Sequence, residues 1–172
     1  MVVVFMDCEK MMEIIIDTKE QLPWLFDKTN HPLFDPFTYR FEHLETGDYS
    51  IVGMSLPGAS EGPKNNPSIT IERKSPSDLF GSVGRGRTNL EKEFERMSRF
   101  TFSAIITEID ILSIYTDPPP MSQMRSKSVC HTLLSWAIRY GVHWIPCSNR
   151  MVAEKVCYLL LKQFWENNRG IK

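Results

Sequence analysis

The sequence has no excess of positive charge. Its 20 Lys and Arg stand against 21 Asp and Glu, for a formal net charge of -1. A uniformly basic coat for nucleic acid is excluded, so any contact with a polyanion must be local. Cysteine is scarce. Cys8, Cys130, Cys147 and Cys157 include no Cys-x-x-Cys pair, and no histidine pair stands beside them at zinc-ligand spacing. Neither a zinc ribbon nor a disulfide framework is expected, only small buried or partly exposed thiols in a reducing compartment. No apolar run approaches the roughly 20 residues that cross a bilayer. The apolar patch at 2–6 runs straight into Asp7, Glu9 and Lys10, unlike a signal peptide. These absences point to a cytoplasmic protein, nuclear in a eukaryote, neither secreted nor membrane-bound. Met1 and Met12 are both eligible starts. Repeats, linkers and low-complexity tracts are missing too.

What remains is an ordinary globular composition: 172 residues, 42% hydrophobic and 24% charged. That predicts one domain over 1–172, with its core between about 12 and 166. Residues 12–17 form a β-rich apolar run ending on a carboxylate, a buried strand. Residues 20–28 read as a short helix with Pro23 in its first turn, and the alternating 37–44 as a second strand. Thr46-Gly47-Asp48 is a turn feeding a strand over 49–54, and 56–67, rich in Pro, Gly, Ser and Asn, is a surface loop. A fourth strand, 68–74, puts Ile69 and Ile71 on one face and Thr70, Glu72 and Lys74 on the other.

Ser75 caps, and Pro76 opens, a helix; Asn89 caps a charged helix reaching about residue 100, apolar at Leu90, Phe94 and Met97. A strand at 103–108 precedes the break at Pro118-Pro119-Pro120. A helix over 122–140 closes at Gly141, then a strand at 142–146 and a helix at 151–165 end the pattern. The order predicts a layered α/β domain with a mixed central sheet.

Chemistry concentrates at strand ends. Asp48 opens one strand, and Glu72 and Lys74 close the next, facing the same way while Arg73 faces the other. If the two strands pair, Asp48 approaches Glu72. Two carboxylates and a lysine suit phosphodiester cleavage. The carboxylates would hold Mg²⁺, a hard cation that keeps several waters, and the Arg73 carbonyl offers a further oxygen. Lys74 would position the attacking water or stabilise developing charge; serving as a base would need a strongly depressed pKa, which nearby carboxylates oppose. A Glu-x-Lys pair alone is a common solvent-facing feature. Here Asp17 and Glu20 follow the first strand and Asp78 lies four residues beyond Lys74, and clustered carboxylates repel one another unless a cation joins them.

Gly47-Asp48-Tyr49 followed by Glu72-Arg73-Lys74-Ser75-Pro76-Ser77-Asp78-Leu79 resembles the signature of the nuclease domain of the XPF-type structure-specific endonucleases, a branch of the restriction-endonuclease-like superfamily. Asp17-Thr18-Lys19-Glu20, Gly81-Ser82-Val83 with Gly86-Arg87, Met97-Ser98-Arg99-Phe100, and Ile105 to Glu108 as the strand ending in Glu extend the likeness, with Lys19 where the family has Arg. The resemblance covers about 12–164. It implies a restriction-endonuclease-like three-layer domain with a central mixed β-sheet flanked by helices. It implies metal ligation by Asp48 and Glu72, with Asp17 as a third ligand. Glu20 and Asp78 would lie in or near the site, and Arg73 and Lys74 would be needed for cleavage. The implied activity is metal-dependent cutting of branched or single-strand/double-strand junction DNA in repair or recombination, often by a homodimer, with Mg²⁺ replaceable by Mn²⁺. The expectation is a nuclease domain alone, without the helix-hairpin-helix module that family members often carry.

Arg85 and Arg87 lie in a glycine-rich stretch where backbone can approach phosphate, and they are the expected DNA contacts. Lys92, Arg96 and Arg99, interleaved with Glu91, Glu93 and Glu95, read instead as a solvated helix face. Trp136, Trp144 and Trp165 fit apolar patterns, Trp24 is ambiguous, and the four histidines are scattered. The last two helices are apolar enough to offer a dimer face. Two alternatives stand beside the endonuclease: a catalytically silent DNA-binding subunit, and a Holliday-junction resolvase or restriction-type nuclease of the same superfamily.

Overall fold

The computed structural model describes residues 11–26, 36–56, 67–120 and 122–169. Six strands, β1 (Glu13–Asp17), β2 (Thr38–Glu42), β3 (Tyr49–Ile51), β4 (Ile69–Lys74), β5 (Phe102–Thr107) and β6 (His143–Pro146), form one mixed sheet in the order β2-β1-β3-β4-β5-β6. Only β3 runs against its neighbours; β1 and β2 are parallel, as are β4, β5 and β6. That reversal fixes the site. It puts Asp48, just before β3, on the edge where β1, β4 and β5 end.

Alternation along the strands divides the core. Ile14, Ile16, Tyr49, Ile51, Ile69, Ile71 and Ile106 pack against Ala153, Cys157, Tyr158 and Leu161 of α5 (Arg150–Asn168). On the other face Ile105 packs with α1 (Pro76–Val83), α2 (Arg87–Met97), α3 (Ile111–Thr116) and α4 (Ser126–Tyr140) through Leu79, Phe94, Ile114, Leu133 and Trp136. The result is the expected three-layer arrangement. Buried on both faces, β4 is rich in β-branched residues. The edge strand β2 is exposed along its whole length and carries Arg40 and Glu42, charges that discourage pairing with another sheet.

Several local expectations need correction. Residues 20–26 form no helix but an irregular strap across the α5 face. Long-range partners take its backbone groups: Trp24 N–H donates to Tyr49 Oη at 2.6 Å and Phe26 N–H to Glu154 at 2.6 Å, while Arg150 donates to the Leu22 and Pro23 carbonyls. Helix α2 starts at Arg87, with Asn89 inside it, because Leu90 N–H already donates to the Gly86 carbonyl at 3.0 Å. The short α3, capped by Asp110, lies where the sequence pattern predicts no helix, and α4 starts at Ser126 rather than 122. Gly141 closes α4 in the left-handed region, φ 68°, as expected. The expected loop at 56–67 falls almost wholly outside the described residues, as does Cys8; the other cysteines are free and buried.

Candidate active site

The site starts from the turn before β3. Gly47 has φ 75°, and a Cβ there would overlap Thr70 Oγ1, so only glycine fits. Thr70 Oγ1 donates to the Thr46 carbonyl at 2.9 Å, and Asp48 N–H donates to the Ile71 carbonyl at 2.8 Å. The turn is thereby pinned onto β4. The Asp48 carboxylate then accepts the Arg73 N–H at 2.7 Å, beside Glu72. Burial first, and Glu72 second, push the Asp48 carboxyl well above the usual carboxylate range; Lys74 and the Arg73 N–H oppose the shift.

Lys74 shares this face. Its ammonium is bonded to Glu72 Oε1. Burial alone would lower its pKa, but Glu72, Asp48 and Glu93 more than reverse that and raise it. In this arrangement Lys74 is a cation and a donor, not a base. Glu93 comes from α2. It accepts the Gly47 N–H at 3.2 Å through one oxygen and bonds Arg96 through the other. Burial, then Glu72, raise its pKa. Tyr49, next to Asp48 but on the opposite face, is a core group held protonated by burial and stacked on Trp24 with ring centroids 5.1 Å apart.

Arg73 points to the α5 face. Its guanidinium donates to Glu108 Oε1 at 2.8 Å and to Glu20 Oε1 at 3.1 Å, and lies 5.7 Å from the centroid of the Trp24 ring. Glu108 also accepts from Trp24 Nε1 at 2.9 Å and from Arg150 at 3.2 Å. Glu20 and Arg73 are therefore tied to each other, not to Glu72.

The remaining expected site residues are placed elsewhere. Asp17 touches the site only by its backbone, donating N–H to the Asp48 carbonyl at 2.8 Å. Its carboxylate accepts the Leu44 N–H at 3.1 Å and faces His43 at 3.4 Å, where it holds the chain leaving β2. The expected three-carboxylate set is thus not assembled: among the described residues no group of three His, Cys, Asp or Glu side chains is gathered to hold a metal. Asp48 and Glu72 still fit a hard cation that keeps most of its waters, because they are oxygen donors, one half-buried and one buried, that repel one another.

Asp78 is exposed and belongs to the cap of α1: Ser75 Oγ accepts its N–H at 3.2 Å and donates to its carboxylate at 2.6 Å. Arg87 donates to Thr132 at 2.9 Å and stacks on Trp136 at 4.8 Å, while Arg85 is exposed. Both line a cleft of about 740 Å³ that begins at Ser77, and none of its described lining residues is a carboxylate.

The structure adds Glu93, Trp24 and Arg150, which no motif marks for the site, and Glu108, which the resemblance gives only as the end of a strand. Position 93 carries one legible signal. It lies three residues after Leu90 and four before Met97, both buried, so it belongs to the inward stripe of α2.

A three-layer domain with paired carboxylates and a lysine at the carboxyl edge of a mixed sheet has the architecture of restriction-endonuclease-like nuclease domains. Within that class the family is defined by sequence: the ERCC4 domain matches residues 16–159, and the chain belongs to that family. XPF from Aeropyrum pernix superposes with a TM-score of 0.62 at 20% identity, over 88% of this chain and 60% of that one. XPF from Aeropyrum pernix in complex with DNA gives 0.59 at 19% identity, over 92% and 66%. The chain thus spans less than two thirds of the length of these structures. No curated protein matches the sequence. Among the described residues, no helix is long and apolar enough to cross a membrane.

Proposed function

We propose that this chain is a divalent-metal-dependent DNA endonuclease. One observation carries the reading: in a member of the ERCC4 domain family, two carboxylates, the half-buried Asp48 just before β3 and the buried Glu72 of β4, meet beside the Lys74 ammonium. Asp48 and Glu72 would hold Mg²⁺, or Mn²⁺ in its place, and the bound ion would supply Lewis-acid polarisation of the scissile phosphate. Asp48 keeps its orientation because Arg73 N–H holds one of its oxygens. Lys74, already a cation, donates to the attacking water or to the phosphate oxygens as charge builds on them. Arg73 acts at a distance by tying Glu20 to the end of β5.

DNA is the proposed substrate, branched or at a single-strand/double-strand junction, as in repair or recombination. A related protein has been solved in complex with DNA. Arg85 and Arg87, in a cleft whose described lining residues include no carboxylate, are the proposed phosphate contacts. A homodimer is proposed through α4, on which Leu134 and Ile138 are exposed. Sedimentation at high concentration showing monomer alone would reject it.

The test is a cleavage panel of 3′-flap, fork, bubble, four-way junction and plain single- and double-stranded DNA with Mg²⁺, Mn²⁺ or chelator. Cutting at junctions, lost with chelator, is expected. Binding without cutting under every metal would make the chain a silent subunit. Selective resolution of four-way junctions would make it a resolvase.

A further inference from the structure

The charged face of α2 suggests solvation, but one of its carboxylates is turned inward. The Glu93 side chain is 16% exposed against 43% for its partner Arg96. Arg96 holds one oxygen of Glu93 and leaves the other for the Gly47 N–H, at 3.2 Å. Arg96 Nε is the one buried side-chain nitrogen or oxygen among the described residues without a hydrogen-bond partner, so Arg96 reaches over Glu93 at some cost in its own solvation.

We infer that Glu93 is a positioning residue: it clamps the Gly47 amide from α2 and so fixes the turn that presents Asp48 to Glu72 and Lys74. The turn has other ties, but all of them come from strands of the same sheet. Thr70 holds Thr46, Ile71 holds the Asp48 amide, and Asp17 holds the Asp48 carbonyl. Among the described residues, Glu93 alone joins it by a hydrogen bond to the helical layer. It thereby links the catalytic edge to the helix that begins at Arg87, beside the proposed DNA cleft. The inference rests on the nuclease reading only where cleavage is used to measure it.

Two variants separate an acceptor from a charge. Glu93→Gln keeps an oxygen for Gly47, whereas Glu93→Ala removes it. In protein labelled with ¹⁵N-glycine, Gly47 amide exchange should speed up about tenfold or more in Glu93→Ala and stay near wild type in Glu93→Gln. In the Mg²⁺ cleavage assay, Glu93→Ala should lower kcat about ten- to a hundredfold with KM unchanged, and Glu93→Gln should restore most of it. Unchanged Gly47 exchange in Glu93→Ala would overturn the proposal. So would equal loss of kcat in both variants, because charge rather than the clamp would then be responsible. If the wild type cuts nothing, the nuclease reading fails, and the exchange measurement still decides the role of Glu93.

Discussion

The two faces of β4 end at the same edge and are built in opposite ways. On the α5 face, Arg73 is answered by Glu20 and Glu108, and Glu108 in turn by Arg150 and the Trp24 N–H. Charges are matched there and geometry is held from several elements. On the α2 face, Asp48, Glu72 and Glu93 crowd around one lysine and the partly exposed Arg96, and both Asp48 and Glu93 are driven toward their protonated forms. Buried negative charge in excess of its cations is costly to the fold. A face that is left in debt while its reverse is balanced fits a site meant to receive a cation.

The sharpest way to break this contrast is to remove the cation on the crowded face. Lys74→Ala should reduce cleavage by about a thousandfold, as loss of one transition-state donor does. Asp48→Ala should do the same, with DNA binding by fluorescence anisotropy largely kept in both. Near-normal turnover in either would mean that the crowded face is not the reaction centre. The balanced face should answer in stability instead. Arg73 and its two partners are nearly buried, at 6%, 11% and 8% side-chain exposure. Arg73→Ala should therefore cost about 3–5 kcal/mol in urea unfolding, because it leaves Glu20 without its cation and Glu108 with Arg150 and the Trp24 N–H alone. A smaller loss, with activity gone, would move Arg73 from scaffold to chemistry.

Asp48→Asn tests the same contrast from the other side. Asparagine keeps an acceptor for the Arg73 N–H and removes the crowded charge. It should abolish cutting yet stabilise the fold by about 1 kcal/mol. The Asp48 carboxyl titrates above its unfolded value, so the unfolded chain gives up this proton first. Wild-type stability from this group therefore falls as pH rises from the ordinary carboxylate range to the raised native value, and is level beyond it. The advantage of Asp48→Asn should grow over that interval and shrink when Mg²⁺ is added, since the ion stabilises only a form that binds it. Thermal melts across pH, with and without Mg²⁺, check both slopes.

Much of the crowded face was legible in the sequence because it depends on local rules. Gly47 marked the turn, period two put Glu72 and Lys74 together, and one antiparallel pairing brought Asp48 in. The balanced face was not legible. Its partners are 53 and 35 residues from Arg73, and nothing in a strand pattern says that β4 and β5 end level with the strap. The strap departs from the helix its sequence predicts for the same reason: amides in it are satisfied by Tyr49 and Glu154, far along the chain. Asp17 stands apart for a different reason. It ends β1 at the correct edge, but the amide of Leu44, offered by the chain leaving β2, takes its carboxylate.

The smallest expected effect belongs to Asp78, and it separates motif from mechanism. The spacing after Lys74 makes this residue look like part of the reacting cluster. In the structure its carboxylate is exposed and closes the first turn of α1 with Ser75. A carboxylate in that position contributes through the helix cap and dipole, worth about 0.5 kcal/mol. Because α1 begins directly after Lys74, a frayed first turn would loosen the lysine backbone without touching Asp48 or Glu72. Asp78→Ala should then lower stability slightly and cleavage by less than about tenfold, with Asp78→Asn or Asp78→Glu recovering most of it. A loss as deep as that of Lys74→Ala would place Asp78 among the reacting groups and require α1 to present its N-terminus to the substrate.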